Sequence, residues 1–452
     1  MSKLTRDGYA VPKTDEVLKW AKSGYTVRAA APPVGKPPPA FKVYRVGERF
    51  VYIPKHEGLR ARGVPGTVDM GSGERAALEF RGSLRPDQED AKDAFLRAAR
   101  DPLRLGGVLN LHTGAGKTVI ALKIAAELGR KTLIVVHKKF LMDQWEERIA
   151  QFLPGARVGR VQGPTRTDGD VVLCMLQTLC VPGKYAARDF AGFGLTVIDE
   201  CHHMGAEVFS RALYVANSMV SLGLSATVKR KDGLSRVFHW HLGDVLYRSP
   251  AASDSDVRVR LLRFGDASPD YSRDRSSVAS LVTQVCAYEP RTRFIADAIM
   301  KTMRERAGSK AIVLSERRAH LERIAEMLDG GVSTGLYVGG MSPESLKASE
   351  RRDVILGTYG MCSEGFDVPE LDLLVLASPR SDVVQSVGRV LRVKPEDRSR
   401  PPLVIDVVDD IEAFRGQARR RRAHYKKQGY SVEGGDEERG IVTGGPAFVG
   451  LG

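Results

Sequence analysis

Short apolar runs alternate with longer amphipathic stretches along two regions of the chain, and this alternation limits the possible folds more than any other feature. The runs have the length of buried strands, whereas the stretches between them repeat apolar residues with helical spacing. In the first region the runs are residues 107–111, 133–136, 171–175 and 195–198. In the second they are residues 311–314, 353–356, 373–376 and 403–407. Repeated strand–helix–strand units predict an α/β fold with two parallel sheets, each covered by helices on both faces.

The same alternation divides the 452 residues into segments with different expected structures. The two alternating regions predict two tandem lobes, and the polar stretch between them predicts a connection. Five prolines between positions 32 and 39 forbid a helix there, and residues 41–45 and 49–54 flank Gly47 as the arms of a β hairpin. The predicted segments are an N-terminal accessory module with β structure over 1–83, a first lobe over 84–247, a connection over 248–290, a second lobe over 291–410, and a basic helix with a flexible tail over 411–452.

Charge and cysteine content exclude several classes of protein. Lys and Arg number 69 against 55 Asp and Glu, and the formal charge of +14 favours a polyanionic partner. Five scattered cysteines without a C-x-x-C pair argue against a disulfide framework and against a zinc or iron–sulfur cluster. No apolar stretch has the length of a signal peptide or a membrane span. We therefore expect no membrane partner and an intracellular protein, in the cytoplasm of a bacterial or phage-infected cell or, alternatively, in a nucleus.

A glycine-rich loop lies between an apolar run and a helical pattern, at Leu111-His-Thr-Gly-Ala-Gly-Lys-Thr118. In that context the loop N–H groups converge on phosphate oxygens, and the helix directs its positive end toward them. We predict that Lys117 reaches the β and γ phosphates of a nucleotide and that Thr118 holds Mg²⁺. The predicted cradle consists of Thr113, Gly114, Ala115, Gly116, Lys117 and Thr118. A glycine-rich turn beside a surface lysine is the alternative, since Leu111 replaces the usual small residue at the first motif position.

Two acids, Asp199 and Glu200, follow the last apolar run of the first region. At the carboxyl end of a strand, Asp199 is placed to organise Mg²⁺ and Glu200 to polarise an attacking water. A solvated strand end is the alternative. Cys201, His202 and His203 come next, but three adjacent side chains do not converge readily on one ion, so no metal site is expected there. His202 is instead predicted to link the nucleotide site to a nucleic-acid site.

These motifs are part of a longer series that resembles the superfamily-two helicases and translocases over residues 84–410. The series is Leu84-Arg-Pro-Asp-Gln88, the phosphate loop, Asp199-Glu-Cys-His202, Leu224-Ser-Ala-Thr227, Gly357-Thr358, Glu364-Gly-Phe-Asp367 and Gln385-Ser-Val-Gly-Arg-Val-Leu-Arg392. The resemblance implies two RecA-like lobes, ATP and Mg²⁺ as cofactors, and a nucleic-acid-stimulated ATPase or helicase. It also implies that Gln88 reads adenine and that Gly365 and Asp367 belong to the nucleotide site.

The resemblance implies in addition how hydrolysis drives movement. Arg389 and Arg392 belong to the second lobe and the phosphate loop to the first, so these arginines are expected to reach the γ phosphate only when the lobes close. An arginine that stabilises the transition state contributes about 10³- to 10⁵-fold in rate. The expected catalytic residues are Lys117, Glu200, Arg389 and Arg392. Each turnover is expected to open and close a cleft that holds a nucleic-acid strand.

Candidate contacts to that strand lie where apolar runs end and helical patterns begin. Such positions bind phosphate through backbone amides and a helix N-terminus. The candidates are His137, Lys138, Gln177 and Thr178 in the first lobe and, as the family equivalents in the second, Ser315 and Thr358. Ordinary loops are the alternative. None of these residues forms a base-reading group, so little sequence specificity is expected.

The box Asp199-Glu-Cys-His202 differs from the Asp-Glu-Ala-Asp of a typical RNA-remodelling member, and Ser225-Ala-Thr-Val-Lys-Arg-Lys-Asp-Gly233 resembles DNA-directed members of the family. XPB-like helicases and phage UvsW-like branch-migration helicases are similar in this respect. We therefore predict a helicase or translocase that acts as a monomer on single-stranded, forked or branched DNA in replication, recombination or repair. One alternative is a duplex-tracking motor of a restriction or transcription-release machine. Another is a nucleic-acid-binding scaffold whose ATPase has decayed.

The N-terminal module is the predicted source of any preference for branched DNA. Its basic residues could contact phosphates, and its aromatic residues could stack on bases or form its own core. The candidates are Lys42, Arg45, Arg49 and Lys55, with Phe41, Tyr44, Phe50 and Tyr52. A module that only covers the first lobe is the alternative.

Overall fold

The computed structural model divides into two compact units, Met1–Pro250 and Ala251–Gly452. The residues that the structure describes are 1–30, 38–112, 114–205, 207–228, 230, 232–249, 256–272, 277–362, 366, 368–381, 383–387 and 398–434. Five of the predicted site residues lie outside them, namely Thr113, Gly365, Asp367, Arg389 and Arg392. Within the described residues no helix combines the length and the hydrophobicity needed to cross a membrane.

An eight-stranded sheet forms the centre of the first unit. The elements are α3 (Pro86–Arg100), β8 (Gly106–Asn110), α4 (Lys117–Leu128), β9 (Thr132–Val136), α5 (Lys139–Phe152), β10 (Val158–Gln162), β11 (Thr165–Arg166), β12 (Val171–Met175), α6 (Leu176–Leu179), β13 (Leu195–Ile198), α7 (Glu207–Val215), β14 (Val220–Ser225), α8 (Ser235–Leu242) and β15 (Val245–Arg248), with 3-10 turns at Ala187–Phe190 and Cys201–Gly205. The strand order is β11-β10-β12-β9-β13-β14-β8-β15, and all pairs except β10–β11 are parallel. The predicted α/β fold is confirmed in this unit.

The buried strands carry apolar residues on both faces because helices cover the sheet from both sides. Along β9, Ile134 and Val136 belong to one apolar cluster, whereas Leu133 and Val135 belong to another. Successive residues of a strand point to opposite faces, so the continuous apolar run fills two cores. This arrangement leaves the carboxyl ends of the strands as the place where polar residues can gather.

The N-terminal module packs on this sheet and is part of the same unit. Its elements are β1 (Lys3–Thr5), β2 (Gly8–Pro12), α1 (Asp15–Gly24), β3 (Thr26–Val27), β4 (Phe41–Lys42), β5 (Arg45–Val46), β6 (Phe50–Ile53), α2 (Lys55–Arg62) and β7 (Thr67–Asp69). Five of these strands form a sheet in the order β5-β6-β2-β1-β7, and β3 pairs with β4. The module is therefore a sheet with two helices, larger than the predicted hairpin.

Within this module, the hairpin predicted over residues 41–54 is shorter than expected. Its turn is present, since the Gly47 N–H donates to the Phe50 carbonyl at 2.9 Å, but its first arm is only β5. Phe41 instead pairs with Val27 in the β3–β4 ladder. The physical reason is burial, because Phe41 packs in an apolar cluster with Leu234 of the first lobe.

Buried polar contacts lock the module to the first lobe. Lys55 is 1% exposed, and its ammonium donates to the carbonyls of Ser218 and Met219 at 2.7 and 2.9 Å and to Ser221 Oγ at 2.9 Å. Arg6 donates to the carbonyls of Phe190, Ala191, Asn217 and Gly71. Lys55 is thus no phosphate contact, and this expectation is corrected. Phe41 and Tyr44 are likewise buried and belong to the core.

A seven-stranded parallel sheet forms the centre of the second unit. The elements are β16 (Arg258–Phe264), α9 (Pro269–Ser272), α10 (Val278–Ala287), α11 (Glu289–Glu305), β17 (Lys310–Ser315), α12 (Arg318–Leu328), β18 (Thr334–Tyr337), α13 (Pro343–Glu350), β19 (Val354–Thr358), α14 (Tyr359–Cys362), β20 (Leu371–Leu376), α15 (Val384–Val387), β21 (Leu403–Asp409), α16 (Glu412–Lys427) and β22 (Ser431–Glu433). The strand order is β18-β19-β17-β20-β21-β16-β22. The second parallel sheet is confirmed as well.

Two segments differ from their predicted roles at the edge of this sheet. The segment 248–290, expected to be a connection, contributes β16, which pairs with β21 over seven residues. The segment 411–452, expected to be a helix with a tail, contributes β22, which pairs with β16. In β16 the alternating Val259 and Leu261 are buried, and that alternation is the signature of a strand with one covered face. Both segments therefore complete the second sheet.

Candidate nucleotide and nucleic-acid site

The phosphate loop spans the gap between β8 and α4 and requires its glycines. Gly114 and Gly116 have φ values of +86° and +80°, in the left-handed region that favours glycine. A Cβ atom at Gly116 would lie 2.3 Å from Gln88 Nε2, so a side chain does not fit there. Ala115, between them, is 1% exposed. The loop is thus a tight backbone turn that leads directly into the N-terminus of α4, the geometry that binds phosphate.

Gln88 fastens this loop to α3. Its Oε1 accepts the Arg85 N–H at 2.9 Å, and its Nε2 donates to the Ala115 carbonyl at 2.9 Å. The Arg85 guanidinium donates to the same carbonyl at 3.1 Å. Both ends of the amide are used within the protein. Adenine reading by Gln88 stays a prediction, and it would require these hydrogen bonds to be exchanged.

An ion pair joins the loop to the end of β13. The Lys117 ammonium lies 2.6 Å from Glu200 Oε1, and both side chains are largely buried. Burial alone would raise the pKa of Glu200, but the charge of Lys117 and the hydrogen bond from His202 outweigh it and lower that pKa. Glu200 is consequently an ionised carboxylate at neutral pH, the form that accepts a proton.

Asp199 is fixed in place beside this pair. Trp145 Nε1 donates to its Oδ2 at 2.9 Å, and the Glu200 N–H donates to its Oδ1 at 3.0 Å. Burial and the neighbouring charge of Glu200 raise the pKa of Asp199. A metal cation bound beside Asp199 would lower that pKa again. The Asp199 carboxylate and the Thr118 hydroxyl are hard oxygen donors at the same sheet edge, so this donor set fits Mg²⁺.

His202 connects the acids to the loop that follows β14. Its Nδ1 lies 2.9 Å from Ser225 Oγ and 3.3 Å from Glu200 Oε2. Ser225 Oγ in turn donates to the Thr227 carbonyl at 2.6 Å and accepts the Thr227 N–H at 3.1 Å. Arg230 donates to the His202 carbonyl. The box and the Ser225–Thr227 loop are therefore one hydrogen-bonded assembly.

A row of three histidine rings leads from this assembly to the neighbouring strand end. The His203 ring lies 4.2 Å from the His202 ring and 4.4 Å from the His137 ring, measured between centroids. The sequence analysis considered His203 only as a metal ligand and gave Arg230 no role of its own. The contact between His203 and His137 has no local signal, because it depends on β9 and β13 being neighbours in the sheet.

The residues predicted to contact the nucleic-acid strand form two groups. His137, Lys138 and Gln177 lie together at one edge, where Gln177 Nε2 donates to the His137 carbonyl at 2.7 Å. Thr178 is buried, and its Oγ1 accepts the Gly163 N–H at 3.0 Å. Ser315 is fully buried with its Oγ 3.0 Å from His320 Nδ1. The hydroxyls of Thr178 and Ser315 are thus used inside their units, and a contact of either residue to nucleic acid stays a prediction.

Thr358 ends β19 and is partly buried, in register with Ser315 of β17. Its contact to nucleic acid stays a prediction. Gln385 lies in α15, and the arginines Arg389 and Arg392 that follow lie outside the described residues.

Known proteins resemble this chain along most of its length. Residues 81–230 match the family model described as "Type III restriction enzyme, res subunit". The "Putative ATP-dependent RNA helicase L396" of Acanthamoeba polyphaga mimivirus is 32% identical over 456 residues, covering 96% of this chain and 86% of that protein. The chain belongs to the superfamily-two helicases. The predicted enzyme class is confirmed, since the protein is an ATP-dependent helicase, and helicases of this family act on nucleic acid.

Other relatives of this helicase come from viruses, phages and archaea. The "Putative DNA 3'-5' helicase Rad25" of Halobacterium salinarum is 28% identical over 346 residues, covering 72% of this chain and 54% of that protein. A solved structure, that of T4 UvsW, aligns at 17% identity with a TM-score of 0.39, covering 96% of this chain and 99% of that chain.

Proposed function

We propose that this helicase uses ATP hydrolysis to translocate on DNA and to remodel forked or branched DNA. The single observation that carries the proposal is the continuous set of contacts from Lys117 through Glu200 and His202 to Ser225. This set joins a phosphate-binding loop to the loop that resembles the coupling element of DNA-directed helicases.

The first chemical role belongs to Lys117, which lies at the N-terminus of α4 behind the loop amides. There it neutralises the β and γ phosphates of ATP, with Thr118 and Asp199 holding Mg²⁺, which supplies further charge stabilisation when bound. Glu200 orients the attacking water and accepts its proton. When Lys117 turns toward phosphate, the cationic charge that lowers the pKa of Glu200 is withdrawn. The carboxylate then becomes a stronger base.

The second role is coupling. A shift of Glu200 moves His202, and through Ser225 it moves the loop from Ser225 to Thr227. The same shift of Glu200 is passed through the His203 ring to His137, which lies beside Gln177 at the proposed nucleic-acid edge. Nucleic acid bound at that edge therefore acts on the position of the proposed base, which is how strand binding would stimulate hydrolysis.

RNA is the second candidate substrate. The mimivirus relative and the African swine fever virus relative, 25% identical over 355 residues, are both named as RNA helicases, whereas the archaeal relative is named as a DNA helicase. The proposed edge of His137, Lys138 and Gln177 offers contacts to phosphate, which both nucleic acids carry. Comparing DNA with RNA in one assay therefore distinguishes the two substrates.

A duplex-tracking motor is the remaining candidate, favoured by the description of the matching family model as a restriction subunit. Such a motor would hydrolyse ATP on plain duplex without separating strands. The intact pair of Lys117 and Glu200 argues against a third possibility, a scaffold with a decayed ATPase.

The test compares ATPase stimulation and unwinding on single-stranded DNA, plain duplex, forks, four-way junctions and RNA duplexes. The proposal expects stimulation by DNA and a preference for forks or junctions over plain duplex. Lys117→Ala is the control, and it should lower the turnover by about 10²- to 10³-fold because it removes a preorganised charge at the phosphates. Stimulation by RNA alone, or ATPase activity on duplex without strand separation, would replace the proposal by the corresponding candidate.

A further inference from the structure

The basic segment near the C-terminus is a helix held rigidly on the second sheet. Arg421, which is 3% exposed, donates through Nε and Nη2 to Asp406 of β21 at 2.8 to 3.0 Å. Tyr425 donates to the same carboxylate at 2.9 Å. Phe414 is buried as well. One arginine of the basic run therefore anchors α16, and the helix presents its other residues from a fixed position.

The opposite face of α16 carries a row of exposed cations. Arg419, Arg420, Lys426 and Lys427 are all exposed. Positions seven apart lie on the same side of a helix, about 10 Å from each other along its axis. The four residues thus form two pairs on one face, with only the small side chain of Ala423 between them.

These four cations are not neutralised by acids. Among the residues that the structure describes, none of the four has a carboxylate partner, and the contact recorded for Arg420 is with the Gly416 carbonyl. Arg415 on the same helix shows the contrast, because it pairs with Asp410 at 3.0 Å and with Glu412 at 2.8 Å. The α16 face, defined as Arg419, Arg420, Lys426 and Lys427, is therefore a concentrated positive charge on a rigid support.

We infer that the α16 face is a second nucleic-acid contact of this helicase, binding the phosphate backbone of DNA. The inference rests on the proposed function in that DNA is taken as the substrate. A protein partner is disfavoured because the face has no exposed aromatic or large apolar residue to anchor a protein interface. A row of cations without base-reading groups binds phosphates independently of sequence. The α16 face belongs to the second unit, whereas the proposed edge of His137 and Gln177 belongs to the first.

The test is a titration of a labelled DNA duplex and of the matching single strand with the full chain at several salt concentrations. The variant carries Arg419→Gln, Arg420→Gln, Lys426→Gln and Lys427→Gln. Each lost phosphate contact lowers the slope of log K against log salt by about 0.9, so we expect a slope reduced by about 2 to 4. We also expect an affinity weaker by roughly 10- to 100-fold at low salt.

A matched control removes the same charge from the first unit, through Lys19→Gln, Lys22→Gln, Arg97→Gln and Arg100→Gln, all exposed. A second variant, Arg419→Lys with Arg420→Lys, keeps the charge and should keep the wild-type slope. An unchanged slope in the quadruple glutamine variant, or an equal loss in the control, overturns the inference while the proposed function stands. Failure of the wild-type chain to bind DNA at all overturns both.

Discussion

Glu200 has a backbone conformation that glycine normally occupies. Its φ is +47°, and within the described residues Leu105 is the only other non-glycine residue with a positive φ. This conformation costs an L-residue roughly 1–2 kcal/mol. Two contacts stabilise this conformation, because the Glu200 N–H donates to Asp199 and the Glu200 carboxylate pairs with Lys117. Tertiary contacts thus aim the carboxylate, and strain of this kind is typical of functional positions.

Glu200→Gln keeps this shape and removes the negative charge. We expect ATP binding within a few-fold of wild type and a turnover about 10²- to 10⁴-fold lower, because an amide cannot accept the proton of water. Nucleotide titration beside steady-state ATPase measurements separates the two effects. Glu207→Gln, which removes a glutamate paired with Arg211 on the surface of α7, is the control and should change neither quantity. Equal losses of binding and turnover would contradict the role of Glu200 as base.

At the scale of elements, α2 attaches the N-terminal module to the first lobe. It inserts Lys55 among acceptors at the start of β14, the strand that ends in Ser225. The module also contacts the segment after this strand, where the Ala30 N–H donates to the Asp232 carbonyl at 2.9 Å. The module therefore holds both ends of the stretch that carries the Ser225–Thr227 loop. These contacts support the alternative that the module covers the first lobe.

Lys55→Met is expected to destabilise the first unit by about 2–4 kcal/mol, because it leaves buried acceptors of Ser218, Met219 and Ser221 without a donor. All three tryptophans of the chain, Trp20, Trp145 and Trp240, lie in residues 1–250. Urea unfolding followed by tryptophan fluorescence therefore reports this unit.

Lys19→Met, at an exposed position of α1, is the matched control for Lys55→Met and should change the unfolding free energy by no more than about 0.5 kcal/mol. If both variants unfold at the same urea concentration as wild type, the buried contacts of Lys55 do not hold the module.

The contact of α2 with α8 also makes stability depend on pH. Burial, with the charges of Arg45 and Lys55, lowers the pKa of His241 to about 3, and burial, with the charges of Lys55 and His241, lowers the pKa of His56 well below its usual range. Both histidines are neutral in the folded state and protonate more readily when unfolded. Their contribution is complete above about pH 6.5 and is lost as the pH falls toward the folded pKa values.

We therefore expect that, at pH values below 6.5, the unfolding free energy of the first unit decreases as the pH is lowered. The decrease is up to about 1.4 kcal/mol per pH unit for each histidine. His241→Phe removes one of the two titrating groups and should make this decline less steep. The comparison uses urea unfolding at pH 8 and at pH 5, where the pH 8 values serve as the reference for any packing change. An equally steep decline in the variant would contradict the assignment.

At the scale of the whole molecule, the ATPase is expected to need residues from both units. Lys117 and Glu200 lie in the first, and the arginines at 389 and 392 belong to the sequence of the second. Arg389→Ala and Arg392→Ala should each lower turnover more than nucleotide affinity, by about 10³-fold or more if the arginine stabilises the transition state. Steady-state kinetics beside a nucleotide titration measures this. A pure affinity defect would instead indicate a contact made in the ground state.

The α/β class, the two sheets and the series of motifs followed from the sequence alone. Strand and helix periods are local, since they depend only on whether neighbours along the chain share a face. The runs 171–175 and 195–198 coincide with β12 and β13, and the phosphate loop lies between β8 and α4 as its context predicted. The run 195–198 also put Asp199 and Glu200 at a strand end, whereas the contact of Glu200 with Lys117 came from the fold.

Only the tertiary structure decided which charged and polar residues are used for packing. Lys55 meets Ser218 across 163 positions of sequence, and Arg421 meets Asp406 on another element. The sequence around Arg421 resembles a solvated basic run, and nothing in the sequence around Lys55 marks that residue as buried. Burial depends on which element covers a face, and an ion or hydroxyl that is covered must find partners there because an unpaired buried polar group is costly. For this reason Lys55, Thr178 and Ser315 hold the fold, whereas Arg419 and Lys427 remain exposed on α16.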